Sequence, residues 1–175
     1  CILNISIYSQ SYRIVIKGGQ VIDPKNNINE IMDVAVGNGK IIAVEKNIDA
    51  SKAVQVVDAR GLYVTPGLID IHVHVFNGSN LDRQYSNGPL SVPPDGFTFR
   101  VGVTTVVDAG CAGWKNFADF KRQTIDRSQT RVMAFLNIVG EGMRGDPYEQ
   151  KLEDMDAKMT GDFAKKNAGI IVGIK

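Results

Sequence analysis

Tyr63-Val-Thr-Pro-Gly-Leu-Ile-Asp-Ile-His-Val-His-Val75 decides how the chain is read. A Pro-Gly turn feeds an almost unbroken apolar run, the pattern of a strand buried on both faces in a parallel sheet. Three further runs of the same character follow: Thr104-Thr-Val-Val-Asp108, Val132-Met-Ala-Phe-Leu-Asn-Ile-Val139 and Gly169-Ile-Ile-Val-Gly-Ile-Lys175. Between the second and third, Trp114 to Arg127 carries Phe117, Phe120 and Ile125 near helical spacing. Between the third and fourth, Tyr148 to Asn167 carries Leu152, Met155, Met159 and Phe163 at intervals of three and four. Strands alternating with helices predict an α/β fold with a parallel sheet, and the Met and Phe stripes are expected to face its core. Phe76 to Phe99 has turn composition and no period, so it reads as a long loop after the first strand.

Upstream, residues 12–64 change character. Short runs of β-branched residues (Arg13-Ile-Val-Ile16, Val21-Ile22, Asp33-Val-Ala-Val36, Lys40-Ile-Ile-Ala-Val44) are punctuated by Gly18-Gly19 and Gly37-Asn-Gly39. These are hairpin signals, and they predict a small β domain. Residues 1–11 are apolar and end in small polar residues, which fits either the remnant of a signal peptide or an extra edge strand.

The chain has 175 residues, 43% of them apolar and 22% charged, with a formal net charge of +1. A complete (β/α)₈ barrel needs about 250 residues. The near-neutral balance and scattered basic residues give no expectation of nucleic-acid binding, and Lys165-Lys166 reads as a solvated helix face. No stretch approaches the roughly 18 uncharged apolar residues needed to span a bilayer, so no membrane partner is expected. Cys1 and Cys111 lack zinc-ligand spacing and disulfide density; Cys111 reads as a packing residue, with a reactive thiol or substrate contact as the alternative.

His72 and His74 are the only histidines. Two apart on a strand, they project from one face, and paired neutral imidazoles can clamp a divalent ion. A hydrogen-bonded core pair is the alternative. Lys175 ends an apolar run, where a lysine is costly unless it reaches solvent or is neutralised. A neutral amine can react with carbon dioxide to give a carbamate whose two oxygens suit a pair of metals.

Pro66-Gly-Leu-Ile-Asp-Ile-His-Val-His74 resembles the metal-binding opening of the amidohydrolase superfamily, on its dihydroorotase, dihydropyrimidinase and D-aminoacylase side. Gly18-Gly-Gln-Val-Ile-Asp23, Gly39-Lys-Ile-Ile-Ala43 and Val57-Asp-Ala-Arg-Gly-Leu-Tyr-Val-Thr-Pro-Gly67 resemble that family's N-terminal β-sandwich and entry to the barrel. Gly102-Val-Thr-Thr-Val-Val-Asp-Ala-Gly110 is similar to its second barrel strand, closest to the amidohydrolase/deacetylase branch.

The resemblance implies a (β/α)₈ TIM barrel, of which residues 65–175 are the first half (strands one to four), with residues 12–64 as part of a small β-sandwich. It implies His72, His74 and a carboxylated Lys175 as metal ligands for two divalent ions, zinc by preference, with carbon dioxide or bicarbonate supplying the carboxyl group. Asp70 is expected to be a carboxylate that orients the imidazoles or a structural one, and Asp108 to serve a loop or cap a helix. No catalytic residue is expected in this segment. The family's remaining ligands and its proton-accepting aspartate would lie beyond Lys175, in the remainder of the same polypeptide.

The implied reaction is hydrolysis of an amide, cyclic amide or acyl ester in a small-molecule substrate. N-acyl amino acids are the first expectation, cyclic ureides and imides such as dihydroorotate the second, and aminopurine deamination a distant third. A non-catalytic dihydropyrimidinase-like scaffold is the alternative from another class. A homo-oligomer is expected, located in the cytoplasm or, if residues 1–11 are a leader remnant, in the periplasm or outside the cell.

Overall fold

A computed structural model describes residues 12–76, 91–143 and 150–175. The expectation for residues 1–11 lies outside them, as does most of the loop after the first parallel strand and the start of the second helical stretch. The chain divides into two compact units, Cys1–Pro66 and Gly67–Lys175.

In the first unit, β1 (Tyr12–Asp23) is the organising strand. It pairs antiparallel with β2 (Ile28–Gly37), which turns into β3 (Lys40–Glu45). Asn38 and Gly39, at φ 52° and 71°, are the two turn residues, the left-handed pair that matches the twist of a tight hairpin. On its other side β1 pairs in parallel with β4 (Ala53–Asp58) and β5 (Tyr63–Val64). The runs read as separate strands at residues 13–16 and 21–22 are therefore one strand, bulged between Ile16 and Gly19. Among the described residues this unit is one five-stranded sheet, and the two layers of a sandwich are not seen. Val15, Ala35 and Ile48 form its core.

The same unit holds a half-buried ion pair. Asp33, 2% exposed, takes the Lys17 ammonium and the backbone N–H groups of Gly18 and Ile48, both at 2.8 Å. Burial pushes the Asp33 carboxyl up; the hydrogen bonds from Lys17, Ile48 and Gly18 more than offset it, leaving the group below its ordinary value.

The second unit is a four-stranded parallel sheet in sequential order: β6 (Leu68–Val73), β7 (Val103–Gly113), β8 (Arg131–Asn137) and β9 (Ile171–Ile174). The α/β class with a parallel sheet is as the sequence predicts. The first apolar run is divided, however: Tyr63–Val64 belongs to the first unit's sheet, and β6 resumes only after Pro66-Gly67. The run was also expected to be buried on both faces, yet Leu68, Ile69 and Ile71 are 56%, 62% and 64% exposed. Among the described residues β6 has one strand neighbour, as has β9, so each covers only part of its surface.

The helical stretches are shorter than their periodicity predicts. Only Phe117–Phe120 (α1) is α-helical in the first, continuing through a wider π-type turn at Lys121–Ile125. Phe117 and Phe120 are fully buried, and Phe120 stacks on Phe76 with ring centroids 5.0 Å apart. In the second stretch, α2 begins at Ala157 because the Asp156 carboxylate caps it, accepting from the Met159 N–H at 2.8 Å, and it ends at Lys166. Phe163 packs edge-on against Phe117 as a core residue. Leu152 and Met159 correct the core reading of that stripe: Leu152 lies in a 3-10 turn before α2, and the two are 78% and 45% exposed. Among the described residues no helix is long and apolar enough to cross a membrane.

Candidate metal centre

The parallel sheet brings its functional candidates to the C-terminal ends of the strands. His72 lies near the end of β6 and His74 just past it. Their rings meet edge to face with centroids 5.5 Å apart, so the expected juxtaposition is present. The pairing of β6 with β7 slips between Asp70 and Val73, and Asp70 Oδ1 accepts the His72 backbone N–H at 3.0 Å. Asp70 thus holds the backbone of His72, a structural contact of the kind expected as one of its two roles. His72 is exposed and His74 half-buried.

Asp108 and Cys111 complete a tighter group. The His74 Nδ1, an Asp108 carboxylate oxygen and the Cys111 Sγ all lie within 4.8 Å of one another, and His74 Nδ1 is 3.3 Å from Cys111 Sγ. Asp108 corrects the reading of it as a loop or helix-capping residue. It is a fully buried residue of β7 whose two oxygens accept the N–H groups of Val75 at 2.8 Å and Cys111 at 2.7 Å. One carboxylate thereby ties the chain leaving β6 to the end of β7.

Burial raises the Asp108 carboxyl above its ordinary value, and the hydrogen bonds from Val75 and Cys111, with the nearby His74, only partly oppose it. No lysine or arginine is among its partners in the described residues. The Cys111 thiol is pushed up by burial first and by the Asp108 charge second, so without a cation it stays protonated and is no activated nucleophile. Nitrogen, oxygen and sulfur donors converging on one point, one of them a buried carboxylate with no ammonium beside it among the described residues, fit a divalent transition metal well.

Lys175 reaches the same neighbourhood from β9. Its backbone is locked to β8, donating to the Leu136 carbonyl at 2.9 Å and accepting from the Ile138 N–H at 3.0 Å. The residue was read as ending a buried run; it is exposed, because β9 has a single neighbour among the described strands. Its Nζ donates to the Met143 thioether at 3.3 Å. Its charge is close enough to Cys111 to pull that thiol's pKa down slightly against the larger effects of burial and Asp108.

Sequence reasoning missed Asp108 and Cys111 as members of the group. Their separation of three residues, with a glycine between to let the strand fold back, was the available signal.

Residues 55–115 match the amidohydrolase family. A deacetylase of Agrobacterium fabrum is 34% identical over 142 residues, covering 79% of this chain and 33% of the relative. A dihydroorotase of Lactococcus lactis is 41% identical over 86 residues, covering 49% of this chain and 20% of the relative. Among solved structures, a dihydroorotase superposes with a TM-score of 0.72 at 29% identity, over 92% of this chain and 41% of its own. An adenine deaminase superposes with a TM-score of 0.73 at 30% identity, over 93% and 40%. The chain spans about a third of the length of the curated deacetylases it matches.

Proposed function

We propose, on the premise that this chain belongs to the amidohydrolase superfamily, that it carries one side of the metal site of a hydrolase acting on carbon–nitrogen bonds. The observation that supports this reading is the convergence of the buried Asp108 carboxylate, which has no ammonium partner among the described residues, with the donor atoms of His74 and Cys111 within 4.8 Å, one ring away from His72. In this reading the parallel sheet is half of a (β/α)₈ barrel and the first unit belongs to a β-sandwich.

His72 and His74 would hold the more buried ion, with Lys175, carboxylated, reaching a second. Divalent ions there, zinc by preference, would lower the pKa of a water and polarise the scissile carbonyl. The chain's own residues do the rest. Asp108 ties the chain leaving β6 to the end of β7 and would supply negative potential, while Val73, Val75 and Phe76, the neighbours of His74 along the chain, are buried in the core. The aspartate that accepts the water's proton is proposed to lie outside residues 1–175.

N-acyl amino acids are the proposed substrates, supported by the two deacetylases matching about four-fifths of the chain. A second reading, a cyclic amide such as dihydroorotate, is favoured by the dihydroorotase relative and the dihydroorotase structure. The test is hydrolysis by the full polypeptide after chelation and after zinc is restored. Zinc-dependent cleavage of N-acetyl amino acids with no turnover of dihydroorotate supports the first reading, and the converse supports the second. No cleavage of either by zinc-loaded protein contradicts both and favours a non-catalytic scaffold.

A further inference from the structure

Lys175 does not simply hang from the end of β9. β7 slips in its pairing between Ala109 and Gly113, and this carries Gly110 over β8 against the lysine's stem. Gly110 has φ 84°, a conformation other residues rarely adopt. A Cβ built on it would stand 3.0 Å from Lys175 Cβ and 3.2 Å from its Cγ, and closer still to Cδ. The first of these atoms cannot swing aside, because the Lys175 backbone is hydrogen-bonded to β8 on both sides.

The seat is itself pinned. The Gly110 carbonyl accepts from the Asn137 side chain at 3.0 Å and from the Met143 N–H at 3.1 Å. Met143 closes the far end, its N–H shared with the Cys111 carbonyl at 3.2 Å and its Sδ 3.3 Å from Lys175 Nζ.

We propose that Gly110 and Met143 are positioning residues for Lys175: the missing side chain of Gly110 leaves the groove in which the lysine stem lies, and the Met143 thioether aims its amine. The proposal rests on the reading of Lys175 as a carboxylated metal bridge. In that step the lone pair of neutral Nζ attacks the carbon of carbon dioxide, an N–C bond forms, one C=O π pair moves onto oxygen, and an N–H proton passes to water. The planar group so formed serves two ions only if the stem beneath it is held. Gly110 and Met143 supply that hold from elements other than β9.

The test is intact mass and metal content of the full polypeptide, reconstituted with zinc and bicarbonate, as wild type, Gly110→Ala and Met143→Leu. The expected result is that folded variants lose the mass increment of one carbon dioxide and bind the second ion roughly 10–100-fold more weakly, with the first ion retained. Met143→Leu keeps volume and apolar character, so it carries the test alone should Gly110→Ala fail to fold. Folded variants that keep both the adduct and the second ion at the wild-type level overturn the proposal, as does loss of both ions together. A wild-type protein with neither adduct nor second ion overturns the metal-bridge reading and this inference with it.

Discussion

Asp33 in the first unit and Asp108 in the second are buried to almost the same degree, 2% and 0% exposed, and each accepts two backbone N–H groups. They titrate in opposite directions. Asp33 has the Lys17 ammonium against it and is held below its ordinary pKa. Asp108 has His74 and Cys111 where that ammonium would be, and burial drives it up. On the proposed reading, the difference separates a structural carboxylate from one that faces a metal: the first is an electrostatic unit that locks a sheet, and the second would meet a divalent ion. A buried carboxylate is a poor pointer to function, whereas one without a counter-charge beside other metal donors is a good one.

The largest effect expected from this contrast is at His74. His74→Ala should weaken zinc by more than ~100-fold, beyond the 10–100-fold typical of groups that act through a ligand, as read by titration against a competing chelator. Asp33→Asn should leave zinc affinity unchanged. Equal losses in the two variants would break the comparison.

Asp108→Asn is expected next, at about 10–100-fold in zinc affinity. The counterpart change, Asp33→Asn, leaves the half-buried Lys17 ammonium without its carboxylate and should cost the first unit about 1–3 kcal/mol, read by hydrogen exchange of β1 and β2 amides.

The pH dependence sharpens the contrast further. The folded pKa of Asp33 is lowered, so its contribution is present above the unfolded value of about 3.9 and is lost as pH falls through the folded value; β1–β2 protection should collapse in acid. The folded pKa of Asp108 is raised, so in chelated protein its contribution is complete below that unfolded value and is lost as pH rises through the folded one. Zinc should reverse the second trend and leave the first untouched.

The smallest effect is at Asp70. Asp70→Ala removes one exposed hydrogen bond to the His72 backbone, for about 0.5–1.5 kcal/mol of stability and a few-fold change in zinc affinity, measured by thermal melting with and without zinc.

Much of this was legible in the sequence. The parallel strands announced themselves as apolar runs, and Asn38-Gly39 as a hairpin turn, because both depend on local residue type. The pairing of His72 with His74 was also legible, although the slip between Asp70 and Val73 that accompanies it was not. The three- and four-residue spacing from Leu152 onward overstates the helix because periodicity cannot see a cap: Asp156 sets the true beginning of α2. Asp108, Cys111 and the Gly110 groove were hidden for a different reason. They arise where the end of β7 folds across β8, so the three-residue spacing of Asp108 and Cys111 around Gly110 points to the group only once that long-range pairing is known.

Metal content of the full polypeptide, purified without chelator or added metal, tests the central claim most directly. The account predicts roughly two equivalents of a transition metal per chain, lost when His72 and His74 are both replaced by alanine and retained in Asp33→Asn. Protein that binds no transition metal even after incubation with zinc and bicarbonate, or that keeps its metal without the two histidines, would contradict it.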